Sequence, residues 1–410
     1  MLGLLEARDG RSAQSSFLSV GLGYLVAYGE KFFGPGSIWV ARTVQDLVSR
    51  HPRAAGISAC SPFIGTARDM ALKIKEALGI PIILGGPHIS ALPGELPSWA
   101  DVGVIGEGEA TMVELLHALA PGGCSLPRIQ GIVYRENGVI QVNPSRAPLD
   151  PLDQIPPPRR DQLLHGSPLW EEANLLTSRG APLRTAWTPS WVGESFRRHT
   201  PDYVAREIRE LIREFHPRFI GFQDELFAAD RVRLRALVEI LEREEICRDV
   251  TFGCVARPDL INREVCGLFL KMNLRTVLLL FFSGSDRVLK RTGKGLSLRQ
   301  NQRALDLCYE SGIIADGMFI LFSPEEGAED IRETLDFRNQ NREKLRIAEF
   351  VPAIPYPGTA FWDKALGSGL VSAKDTDWKL LDSSADEYVC VNSTIPLEEL
   401  SALSEELERL

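Results

Sequence analysis

The sequence predicts an α/β protein: a doubly wound parallel sheet in its first third, followed by a partial barrel of about six βα units. Three observations carry this. Short apolar runs alternate with helical patterns on both sides of residue 150. Each run is too short and too apolar to face water on one side. A proline-rich stretch, "PSRAPLDPLDQIPPPRR" (144–160), separates the two series.

The elements follow in order. Strands are expected at Gly3–Ala7, Ile38–Val40, Ala55–Ser58, Ile82–Leu84 and Val102–Ile105, with helices near 22–33, 43–50, 66–78 and 110–119. "IQGIVYRENGVIQVN" (129–143) reads as a hairpin, because Asn-Gly between alternating strands favours the tight turn a hairpin needs. Beyond the prolines, strands are expected at Asn174–Thr177, Phe219–Gln223, Thr251–Ala256, Thr276–Leu280, Gly317–Leu321 and Ile347–Ala353. The implied division is a sheet domain over 1–125, a hairpin and linker over 126–165, a partial barrel over 166–355 and a helical extension over 356–410. The extension ends in "LEELSALSEELERL", an acidic amphipathic helix by pattern.

Composition narrows the function classes. Hydrophobic residues at 44% and charged residues at 25% are ordinary for a globular chain of 410 residues. The net charge of −9 argues against nucleic acid or an anionic membrane as partner. No apolar run reaches the roughly 20 residues of a membrane span, and the N-terminus lacks a signal-peptide pattern, so a cytoplasmic protein is expected. Seven cysteines are scattered with no CxxC pair, which fits reduced thiols.

Glycines collect at predicted strand ends. "LGGPH" (84–88) and "IGEGE" (105–109) each place glycine directly after a buried strand, where backbone can approach a ligand. Turn chemistry alone explains either motif taken singly. "GLGYLV" (21–26) is not a dinucleotide fingerprint, since it lacks the third glycine, the preceding strand and the acidic partner.

Together with "GISACSPF" (56–63), "VGVIGEGEATMVELL" (102–116), "CVARPDLINREVCGLFLKMNLRTVLLLFFSGSDRVLKRTGKG" (254–295) and "AIPYPGTAFW" (353–362), these motifs resemble the cobalamin-binding branch of the radical S-adenosylmethionine enzymes over roughly residues 15–395. The resemblance implies a Rossmann-like domain that binds cobalamin and a partial (βα)6 TIM-like barrel. On the matching positions, it implies cobalamin contacts from Gly21, Gly23, Tyr24, Ser58, Ser61, Gly85, Gly86, Pro87, His88, Gly106, Glu107, Gly108 and Glu109. The mutase-type DxHxxG, which supplies a lower axial histidine, does not occur, and His88 is not that ligand.

The departures fall in one place. After "LLTSRG" (175–180) the family carries CxxxCxxC, whose thiolates hold a four-iron cluster. Here Ala181, Thr185 and Thr188 stand at those spacings. The family's Gly-x-Glu-Ser-Gly-Ser reads "LFFSGS" (280–285), so Phe282 replaces an acid that helps hold S-adenosylmethionine. Its "GLPGE" reads "FSPEE" (322–326), with Phe322 where glycine gives room. The expectation is a protein that keeps cobalamin, has no iron–sulfur cluster and does not bind S-adenosylmethionine in the usual way.

Such a protein would catalyse methyl or alkyl transfer to an apolar or aromatic small molecule. Asp224, Glu225, Arg257 and Tyr356 are the candidate acid, base or anchor residues, and Trp187, Trp191, Phe222, Phe282 and Phe322 the candidate pocket. No resident metal site is expected, and a reductase or an intact radical S-adenosylmethionine enzyme is a possible partner. The alternative is a non-catalytic cobalamin carrier, sensor or pseudoenzyme. A cluster held by the other cysteines is disfavoured by their scatter.

Overall fold

The first apolar run, Leu2–Glu6 (β1), pairs in parallel with Ile38–Val40 (β2) on one side and Ala54–Ser58 (β3) on the other. Ile82–Gly85 (β4) and Val102–Val104 (β5) extend the sheet in parallel. The hairpin Ile132–Glu136 (β6) and Val139–Val142 (β7) closes it as an antiparallel edge, turning through Asn137 and Gly138 at φ 49° and 80°. The order is β2-β1-β3-β4-β5-β6-β7. The direction in which successive strands are added reverses between β1 and β3, the switch point where doubly wound sheets receive ligands at their carboxyl edge.

These coordinates come from a computed structural model, which describes residues 1–8, 19–120, 125–164, 172–180, 185–193, 195–224, 226–248, 250–292, 295–385 and 387–396. The expected C-terminal helix over 397–410, Ala181, Glu225 and Cys124 lie outside the described residues.

Both faces of the first sheet are covered, which explains its unbroken apolar strands. Leu4 and Leu5 point to opposite faces, yet both are buried, each in a different core cluster. Helices Val20–Phe33 (α1), Val44–Ser49 (α2), Ile64–Leu78 (α3), Pro87–Ala91 (α4) and Glu109–Ala118 (α5) lie between or beyond the strands, followed by Asp161–Leu164 (α6). The helix α3 stops at Gly79 in a left-handed cap.

The second sheet holds Glu172–Leu175 (β8), Phe219–Phe222 (β11), Thr251–Ala256 (β12), Leu274–Phe282 (β13), Ile314–Leu321 (β14) and Leu345–Pro352 (β15). All neighbours are parallel and consecutive, and β8 does not pair with β15, so the sheet is an open six-stranded partial barrel. A short antiparallel pair, Ser178–Arg179 (β9) with Arg197–Arg198 (β10), stands apart from it.

Helices Pro201–Phe215 (α7), Arg231–Arg243 (α8), Arg263–Lys271 (α9), Asp286–Arg291 (α10), Leu298–Glu310 (α11), Ala328–Gln340 (α12) and Ala360–Gly367 (α13) are the remaining α-helices among the described residues. Thr200 caps α7 by accepting from the Tyr203 N–H, and Pro201 starts it without loss of a bond. Its stripe of Val204, Ile208 and Leu211 is buried in the barrel core, worth roughly 1.5–3 kcal/mol per large side chain.

Two compact units result. The first comprises Met1–Leu169, Thr188–Glu194 and Tyr356–Tyr388; the second comprises Trp170–Trp187, Ser195–Pro355 and Val389–Leu410.

Candidate functional site: glycine turns and a loop without cysteines

In the first unit the segments after β3 and β4 are stitched together. The Ala59 N–H donates to the Gly85 carbonyl at 3.0 Å, and the His88 N–H donates to the Ala59 carbonyl at 3.2 Å. Gly86 has φ 95°, and a Cβ there would fall 2.9 Å from both the nitrogen and the oxygen of Ala59 and 3.0 Å from the Ser58 hydroxyl. Only glycine closes this turn. Gly106 is also left-handed, at φ 74°, but open space lies where its Cβ would point.

The residues around these turns are held firmly. The His88 Nδ1 lies 3.0 Å from the Ser61 hydroxyl, and both residues are buried. Desolvation pushes the His88 pKa down to about 4, so the imidazole is neutral at physiological pH. Its ring meets Trp378 edge-on, and Trp378 stacks on Trp362. Pro87 begins α4 with Gly86 as its N-cap, while Gly108 and Glu109 open α5. Glu109 is buried and Glu107 half-buried beside it.

Two of the expected cofactor residues sit in packing roles, and a third is exposed. Gly23 lets α1 approach the proline-rich stretch, since a Cβ would meet Leu163 at 2.9 Å and Pro158 at 3.0 Å. Tyr24 is fully buried with Tyr28, Leu152 and Ile155, and Gly21 is exposed near the start of α1.

In the second unit Asp224, after β11, fastens the root of the loop that carries the threonines. Its carboxylate accepts from the Thr177 N–H at 2.9 and 3.0 Å, from the Thr177 hydroxyl at 3.1 Å and from the Ser178 hydroxyl. Burial pushes the Asp224 pKa up, and the hydrogen bonds from Ser178 and Thr177 oppose that rise. From α8, Arg233 donates to the Thr177 carbonyl at 2.9 Å and the His199 carbonyl at 2.8 Å. The pairing of β9 with β10 then closes the loop. Asp224 is therefore committed to holding backbone. Arg257, after β12, is likewise held in a two-pronged ion pair with Asp259, at 3.0 Å for each prong.

The proposed pocket aromatics separate. Phe222 is wholly buried, stacked on Phe227 and Phe252 within the barrel core, because its side of β11 faces the helices. This placement corrects the expectation of a pocket position. Trp191 and Tyr356 group with the first unit and Trp187 with the second. The Tyr356 hydroxyl bonds Ser383, and desolvation raises its pKa, so the phenol stays protonated at neutral pH.

Phe282 ends β13 and Phe322 directly follows the adjacent β14, and both have left-handed backbones, with φ 66° and 61°. The five other non-glycine residues of positive φ among the described residues are His, Asn or Glu, which makes the two phenylalanines outliers. Beyond Phe282, the Ser283 and Ser285 hydroxyls and the Gly284 N–H bond to Thr334 or Asp330 of α12, tying down the strand end. Beyond Phe322, buried Glu326 accepts from the Ser323 N–H at 3.0 Å, while its Oε1 has no hydrogen-bond partner among the described residues. Desolvation pushes its pKa up to about 7.

The loop supplies no thiolate among its described residues. The Thr185 hydroxyl accepts from the Trp187 N–H at 3.3 Å. Cys254, Cys266 and Cys308 lie in the barrel core instead, where burial pushes the Cys254 thiol well above its ordinary range. Among the described residues, no three His, Cys, Asp or Glu side chains gather to hold a metal ion.

Residues 184–338 match the Radical SAM superfamily. An uncharacterized methyltransferase of Pyrococcus horikoshii is 30% identical over 336 residues, covering 78% of this chain and 71% of that one. The chain belongs to the radical S-adenosylmethionine superfamily. A second relative in sequence is an anaerobic magnesium-protoporphyrin IX monomethyl ester cyclase of Rubrivivax gelatinosus, 26% identical over 75% of this chain and 58% of that one. Among solved structures, the methyltransferase TsrM from Kitasatospora setae, with cobalamin and a [4Fe-4S] cluster bound, superposes with a TM-score of 0.74. The match is 17% identical and covers 97% of this chain and 82% of TsrM, so the two chains share a fold.

Four structural contributors escape sequence reasoning: Ser90, Ser178, Arg233 and Glu326. Their roles depend on contacts 3 to 56 residues away, which the local pattern does not show.

Proposed function

We propose that this protein is a cobalamin-dependent enzyme of the radical S-adenosylmethionine superfamily that works without an iron–sulfur cluster, transferring a methyl or alkyl group to an apolar or aromatic small molecule. The observation that carries this is the contrast between two sites. The glycine turns after β4 and β5 are intact and offer open space at Gly106, whereas the positions for cluster thiolates carry Ala181, Thr185 and Thr188.

The residues present fit cobalamin and do not fit a cluster. Threonine hydroxyls stay protonated near neutral pH and cannot replace thiolates on iron. Cobalamin, when bound, supplies two-electron alkyl transfer, which asks for no cluster. This chain's part is to shape and dry the site. The Gly86 and Gly106 turns admit backbone contact, and the neutral His88 adds a hydrogen-bonding ring without charge. Phe282 removes the acid expected to hold S-adenosylmethionine, and a charged sulfonium left without partners is costly to bury.

Anaerobic titration with hydroxocobalamin, followed by visible absorption, should show near-stoichiometric binding. Calorimetry with S-adenosylmethionine at low micromolar concentration should show none. Tight binding of the latter would reject the proposal.

One observation favours a second reading, a non-catalytic cobalamin-binding protein. Asp224 and Arg257, the two described candidate acid and base residues at those strand ends, are both engaged in structural bonds. A carrier would hold methylcobalamin without losing the methyl group to any acceptor. An enzyme would lose it in proportion to the acceptor supplied.

A further inference from the structure

The turns after β4 and β5 are joined by a single hydroxyl. The Ser90 Oγ accepts from the Gly106 N–H at 2.9 Å and donates to the Gly86 carbonyl at 2.8 Å. A serine hydroxyl has one proton, and here that proton goes to one glycine turn while a lone pair serves the other. Ser90 is buried, and α4 delivers it: Pro87 sets the first turn of the helix, which brings residue 90 back over Gly86. The bond to Gly86 is by itself an ordinary serine contact to the carbonyl four residues back. The bond from Gly106 is different, since it crosses from one strand's turn to the next over sixteen residues.

We infer that Ser90 is a positioning residue for the ligand site, fixing the spacing and orientation of the Gly86 and Gly106 turns against each other. The role rests on the cobalamin proposal, because those turns are its proposed contacts. Gly86 is already locked by its close approach to Ala59. Gly106 has open space at its Cβ position instead, and the Ser90 hydroxyl ties its left-handed turn to the Gly86 turn. Losing that contact frees the β5 turn while leaving both strands and their cores in place.

Ser90→Ala and Ser90→Thr in the full chain test this, with two measurements each. Titration with hydroxocobalamin should give an affinity about tenfold weaker for the alanine variant, the scale of one lost hydrogen bond with its partner left unpaired. The threonine variant, which keeps the hydroxyl, should restore affinity to within about twofold. Amide hydrogen exchange without cobalamin should show the Gly106 N–H losing protection in the alanine variant only.

Equal affinity and unchanged Gly106 protection in the alanine variant overturn the inference. So does an alanine variant whose lost affinity threonine fails to restore. If the parent binds no cobalamin, the functional proposal fails by itself, and Gly106 exchange still decides whether Ser90 sets the turn. Should the alanine variant not fold, Ser90→Cys takes its place, with intermediate affinity and protection expected and parent values for both contradicting the role.

Discussion

Replacing Phe322 separates backbone strain from side-chain burial. The residue is 4% exposed, so Phe322→Ala removes a buried phenyl at a cost of roughly 3–5 kcal/mol. The same loss occurs in Phe322→Gly, and glycine adds about 0.5–1 kcal/mol from its freer unfolded chain. Against that stands φ 61°, a left-handed conformation costing roughly 1–2 kcal/mol for any L-residue with a Cβ and nothing for glycine. The balance puts the glycine variant ahead of the alanine variant by up to about 1.5 kcal/mol, the reverse of their order in a relaxed strand. Urea unfolding of both variants beside the parent, monitored by a probe in the second unit, measures the difference. An alanine variant more stable by 0.5 kcal/mol or more, on the order of the ordinary glycine penalty, would refute a strained Phe322.

Other outcomes follow from the same contacts. Glu326 has a folded pKa of about 7 against an ordinary 4.5, so the folded chain holds the extra proton and stability should fall as pH rises from about 4.5 through 7. Glu326→Gln should flatten that decline, gaining roughly 1–3 kcal/mol relative to the parent at pH 8 but little at pH 4.5; equal pH slopes for the two proteins would count against the buried acid. Gly106→Ala should cost only about 1 kcal/mol of stability while weakening cobalamin binding, whereas Gly86→Ala should unsettle the fold by colliding with Ala59. Matching stabilities in thermal melts would contradict that distinction. Asp224→Asn should expose the segment around 185–193 to limited proteolysis, because the amide cannot accept all the bonds now made by Thr177 and Ser178; an unchanged cleavage pattern would show the clamp to be dispensable.

The fold was legible because its signals are local. Strands such as Ile38–Val40 and Thr251–Ala256 lie where apolar runs and β-branched residues put them. Strands β13 and β14 begin two to three residues before their expected starts, where Arg275 and Asp316 interrupt the apolar run but pairing continues. The candidate site was legible only in part. Glycine-bearing strand ends could be read directly, and their torsions explain Gly86 and Gly106. By contrast, Phe222 looked like a strand-end aromatic, but a phenyl ring on β11 goes to whichever face the strand's phase dictates, and that face is core. Tyr24 and Gly23 show the same limit, since their neighbours Leu152 and Pro158 lie more than a hundred residues away.

The central claim is that this chain keeps cobalamin and has no iron–sulfur cluster. Its most direct test is a paired assay of cobalt and iron on protein produced with cobalamin and then reconstituted anaerobically with iron and sulfide, with Mössbauer spectra recorded on the iron-57 sample. The expected result is about one cobalt per chain, the stoichiometry of a single site, with no four-iron signal. A stoichiometric cluster spectrum, or iron near four per chain with no cobalt retained, would contradict it.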